Sequence, residues 1–163
     1  MATKLKPVDF AKRTRSASKG LSARDESRAD ASERPPLTDS IPLRQIKPRA
    51  HGNTRALNPT HLLHLALSIE EMGLIEPIVI DAKNHLLAGG HRLVACQLLN
   101  PKLRDPVIAD LREKVTPKRA EEFDRLVSSL PERSTLDARR IPVRIFNFDS
   151  TQDPDRAIEV ETT

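Results

Sequence analysis

Residues Leu86–Leu99 read LLAGGHRLVACQLL, three apolar residues, two adjacent glycines, a histidine and an arginine, then a second apolar run. The opening residues suit a short strand. HRLVACQLL suits a helix stopped by Asn100-Pro101, so the glycines occupy a strand-to-helix turn. A helix opened this way exposes its first backbone N–H groups and the positive end of its dipole, and glycine lets an oxygen-rich ligand approach without a Cβ in the way. Gly89 and Gly90 would form a phosphate cradle, Arg92 would add a fork of charged donors, and His91 would donate a hydrogen bond or bind a proton near neutral pH. Taken by itself a glycine pair more often marks a tight turn, so the flanking sequence has to decide.

Working outward, Asn58-Pro59 pairs an N-cap residue with proline at the first helical position. Leu62, Leu65, Ala66, Ile69 and Met72 then recur at helical spacing up to Gly73. LIEPIVI supplies the β-branched residues Ile75, Ile78, Val79 and Ile80 of a buried strand, and Asp81 to His85 make a polar turn into the strand LLA. Further upstream, IPLRQIKP predicts a weak strand from Ile41 through Ile46, ended by Pro48. Downstream, a charged helical stretch covers about Asp105 to Leu130 with a restart at Thr116-Pro117. IPVRIF, Ile141 to Phe146, is another strand, and Asp153-Pro154 opens a last helix. The expected fold is α+β, a small mixed sheet with flanking helices.

The chain has 163 residues, the size of one domain, and a formal net charge of +4 that is unevenly placed. Lys4, Lys6, Lys12, Arg13, Arg15, Lys19 and Arg24 face a single acid, Asp9, in the first 24 residues, which leaves a net −2 on the rest. Residues 1–39 are poor in apolar side chains and are expected to be a disordered basic arm ahead of a folded domain at 40–163. Such an arm suits an electrostatic partner, DNA or a protein surface, and equally a solubilising tail. No apolar run approaches the length of a membrane span and no signal peptide opens the chain, so a cytoplasmic protein without a membrane partner is expected. With four phenylalanines and neither Trp nor Tyr, a base-stacking platform for single strands is poorly supported.

The single cysteine, Cys96, reads as a small core residue. His61 and His64 share a helix at a spacing of three but read as a solvated face, and no metal site is expected. Glu70 and Glu71 are adjacent and point in different directions, which argues against a paired-carboxylate active site. Glu121 and Glu122 read as an exposed charged helix face.

In order, LALSIEEMGLIEPIVI, HLLAGGHRLVACQLL and IPVRI resemble the N-terminal domain of the ParB family, within the ParB/sulfiredoxin fold; the resemblance is closest over Ser40 to Leu99 and looser over Ile141 to Val160. It implies a nucleotide pocket in which Gly89, Gly90, His91 and Arg92 hold the phosphates, Arg55 stands for the arginine of the family's first box, and Ser68, Glu76 and Pro77 lie near the base or its strand. It also implies CTP, or another nucleoside triphosphate, with Mg2+, and a partition role on plasmid or chromosome DNA. A ParA-like ATPase would be contacted through the basic arm, and a homodimer is possible within the family pattern.

The departures are specific. Gly90 stands where the family usually carries glutamate, and His91 where it carries the first of two arginines. GGHR is nearer the GCHR of sulfiredoxins, yet Gly90 replaces the reactive cysteine, so sulfiredoxin activity is not expected. The family's Asn/Arg motif would begin where the sequence stops at Thr163, and about 101–140 reads as a helical insertion. Three classes of function follow: a nucleotide-switched DNA-associated factor, a nucleotide-dependent enzyme of the same fold (a weak CTPase, a phosphotransferase or a nuclease), or an interaction module that has lost its nucleotide.

Overall fold

The computed structural model describes residues 35–51 and 55–162. The seven basic residues from Lys4 to Arg24 lie outside the described residues. Strand β1 is Leu37–Ile41, α1 is Pro59–Met72, β2 Ile78–Asp81, β3 Leu86–Ala88, α2 Gly90–Leu99, α3 Arg104–Glu113, α4 Ala120–Ser128, β4 Ile141–Phe146 and α5 Pro154–Thr162. This is an α+β domain whose four-stranded mixed sheet runs in the order β1-β4-β2-β3. β2 pairs antiparallel with β3 and parallel with β4, and β4 pairs antiparallel with β1.

The local signals act as chemistry requires. Asn58 Oδ1 accepts the His61 N–H at 3.3 Å to cap α1, and Gly73, at φ +81°, ends it. Along α1, Leu62, Leu63, Ala66 and Ile69 are buried against Ile78, Ile80, Ile141 and Val143 of the sheet and Leu93, Cys96 and Leu99 of α2. Burying each of the larger side chains stabilises by about 1.5–3 kcal/mol. Leu111 of α3, Phe123 of α4 and Leu130 close the same core. Burial pushes the Cys96 thiol up to about 12, so at neutral pH it is a protonated apolar filler.

Four expectations need correction. The strand expected over Ile41–Ile46 lies earlier, at Leu37–Ile41, and takes in residues assigned to the arm. Leu43–Gln45 form a 3-10 turn instead, because Leu43 and Ile46, three apart, stack on one side of such a turn and are both buried. Ile75 stands outside β2 and is 77% exposed, since Pro77, which cannot donate to a ladder, delays the strand to Ile78. Met72, the last residue of α1, is exposed, and Thr116-Pro117 opens a 3-10 turn without a side-chain cap.

Asp81, fully buried at the end of β2, staples three segments. Its Oδ1 accepts the N–H groups of Lys83 and His85, each at 2.8 Å, and its Oδ2 accepts the Ser150 N–H at 2.9 Å and hydroxyl at 2.6 Å. Although burial pushes its carboxyl up, these bonds from Ser150, His85 and Lys83 prevail and hold it below the usual range. Glu70, on α1, binds the Ser134 hydroxyl and, at 2.8 Å, the Thr135 N–H, tying the segment before β4 to the helix. Among the described residues, no helix is long and apolar enough to cross a membrane.

Candidate anion-binding site

Gly89 adopts the left-handed conformation (φ 91°, ψ 29°) as the N-cap of α2, and its carbonyl accepts the Leu93 N–H at 2.9 Å. No side chain caps this helix, so the N–H groups of its first turn, Gly90, His91 and Arg92, point outward with no partner within the helix. They open onto a cleft of about 650 Å³ lined by Arg49, Arg55, His61, Leu65, Glu76 and Gly89 through Arg92. Three arginines against one carboxylate at the positive end of a helix dipole make a site for an anion.

Arg49 and His61 arrive by traceable routes. The segment after the 3-10 turn runs beside β3, where the Lys47 N–H donates to Asn84 O at 2.8 Å and the Leu86 N–H to Lys47 O at 3.0 Å. This register carries Arg49 to the cleft, where its Nη2 donates to Leu87 O at 2.6 Å. Capping at Asn58 places His61 on the first turn of α1, its ring edge-on to that of His91 with centroids 5.8 Å apart. Burial, then the proximity of His61 and Arg55, lowers the pKa of His91, which favours the neutral form of its ring in the free protein.

A second lobe of about 730 Å³ adjoins the first and shares Glu76, Ala88 and Arg92 with it. Val79 pairs with both Arg144 and Ala88 across the ladders, and Phe146 lies two residues beyond Arg144, so these side chains share one face of the sheet. Pro77 and Arg156, Glu159 and Val160 of α5 complete the lobe.

Of the residues expected at a nucleotide site, Arg55, Glu76, Gly89, Gly90, His91 and Arg92 line the first lobe and Pro77 the second. Ser68, half-buried on α1 one turn beyond Leu65, lines neither. Arg49 and His61 were not expected there. His61 has the helical spacing to Leu65 as its sequence signal, whereas nothing local marks Arg49.

A family model of the ParB N-terminal domain matches residues 26–129. The chain belongs to the ParB N-terminal domain family. It is also similar to the ParB-like nuclease domain-containing protein YnaK of Escherichia coli (strain K12), 34% identical over 58 residues, or 36% of this chain and 66% of that relative. The chain thus spans just under two thirds of the length of that curated relative. In this ParB N-terminal domain the matched residues include the whole strand-glycine-helix turn and also α3 and α4, while β4 and α5 lie beyond them.

Proposed function

We propose that this ParB-type domain binds a nucleoside triphosphate, CTP with Mg2+, as the switch of a DNA-associated partition factor. The observation that carries the reading is the uncapped start of α2 at a left-handed Gly89, facing a cleft that gathers Arg49, Arg55 and Arg92. Outward N–H groups and guanidinium forks suit phosphate oxygens in the first lobe. The apolar surfaces of Pro77, Val79 and Phe146 suit a flat base in the second. Mg2+ supplies charge neutralisation to bound phosphates. Among the described residues Glu76 is the carboxylate lining the first lobe, so it would be the protein group within reach of the ion, the phosphates supplying most of its oxygens.

Arg55→Ala and Arg92→Ala are each expected to weaken CTP binding about tenfold or more, with circular dichroism unchanged. Unchanged affinity in both would remove the phosphate role. The basic arm suits DNA or a ParA-like ATPase, and deleting residues 1–24 is expected to weaken that association in a salt-sensitive way. If the deletion changes no binding, the arm is a solubilising tail.

A second reading, cleavage of a phosphodiester, is favoured by one observation: the His91 ring lines the same cleft beside that of His61, and its lowered pKa favours the proton-accepting form that a general base needs. It accords with the name of the E. coli relative. DNA cut in the presence of Mg2+ in a His91-dependent manner would favour it; intact DNA under conditions where CTP binds favours the nucleotide switch.

A further inference from the structure

We infer that Glu76 is a resident competitor for the anion site, a carboxylate that engages Arg92 in the free protein and yields it to a bound polyphosphate. The inference rests on reading the cleft as a phosphate site. Arg92 Nη1 donates to Pro77 O at 2.8 Å and lies 3.2 Å from Glu76 Oε2. The two contacts differ in kind. The Pro77 carbonyl belongs to the backbone beside β2 and keeps the guanidinium in place whatever Glu76 does, while the Glu76 side chain is 74% exposed and free to swing into solvent.

Position gives the pair its effect. Glu76 and Arg92 line both lobes, so they stand at the junction that a ligand reaching from one to the other has to pass. Carboxylate and phosphate oxygens are alternative acceptors for the same guanidinium donors, and a polyphosphate brings more charge. As the residue before proline, Glu76 is restricted to extended backbone, which fixes where its carboxylate starts. Arg92 is therefore preset, and a ligand displaces one exposed carboxylate without reorganising the arginine.

The test is calorimetric titration of the full chain with inorganic triphosphate, comparing the unmodified protein with Glu76→Gln, Arg92→Gln, the double variant and Arg55→Ala. Gln at 92 removes the charge while keeping a polar side chain in the cleft. Glu76→Gln is expected to tighten binding about two- to fivefold, the range of an exposed ion pair, and this gain is expected to vanish when Arg92 is absent. Equal or weaker binding by Glu76→Gln would overturn the inference, as would a gain that persists without Arg92, which would make Glu76 a diffuse repulsive charge. If triphosphate binds and Arg55→Ala weakens it while Glu76→Gln changes nothing, the competitor is refuted and the anion site stands. If no form binds triphosphate, both fall together.

Discussion

A Cβ added to Gly89 would stand 3.4 Å from Nε of Arg92 and 3.6 Å from Cα of Ile78, ordinary contact distances, so the left-handed backbone at φ 91°, and not the space beside the Arg92 guanidinium, is what calls for glycine there. Its neighbour Gly90 has no such constraint, since a Cβ there would meet only Leu86 Cδ2 at an ordinary 3.7 Å and φ is not positive. The two adjacent glycines therefore have different physical reasons. Gly89→Ala is expected to destabilise by about 1–2 kcal/mol through its left-handed backbone. Gly90→Ala is expected to be neutral or to stabilise by about 0.5 kcal/mol by restricting the unfolded chain. Urea denaturation of the two variants checks this, and equal costs would contradict it.

His91 gives the site a pH dependence of defined sign. Its pKa lies below the usual value in the free protein because of burial, His61 and Arg55, and an anion beside it would raise that pKa. A group whose pKa rises on binding strengthens binding as protons are added. Affinity for CTP is thus expected to increase as pH falls from about 7.5 towards the ordinary histidine range near 6.5. Titrations at several pH values, with His91→Gln subtracting the ligand's own titration, measure the effect; a slope unchanged in the variant would remove His91 from the site.

Much of this was legible from local chemistry. Asn58, Pro59 and Gly73 delimit α1 because caps act within a few residues, and the turn at Gly89 follows from a short apolar strand meeting a helical pattern. What was not legible depends on contacts distant in sequence. All five residues of β1 lack full burial; LTDSI becomes a strand only because β4, a hundred residues later, offers it a ladder. Arg49 joins the cleft through Leu87, 38 residues away, and Asp81 meets Ser150 across 69. Local sequence patterning, which acts over a few residues, contains neither pair.

The Asp81 staple sets an acid limit on stability. Its pKa is depressed in the fold, so the stability it contributes is fully present above the unfolded value, about 3.9, and is lost as pH falls through the folded one. Asp81→Asn, which leaves donors from Ser150, His85 and Lys83 facing a group with one acceptor oxygen, is expected to cost about 2–3 kcal/mol at pH 7 and to flatten the decline below pH 4. Thermal melts of both proteins from pH 7 to pH 3 report the difference, and parallel curves would deny Asp81 this role.

The central claim is that the start of α2 and its arginines hold the phosphates of a nucleotide. Isothermal titration of the chain with CTP, ATP and GTP, each with Mg2+, tests it most directly. The expected result is saturable binding with CTP preferred. A folded sample that binds none of the three would contradict the account and leave GGHR as a structural turn in an interaction module.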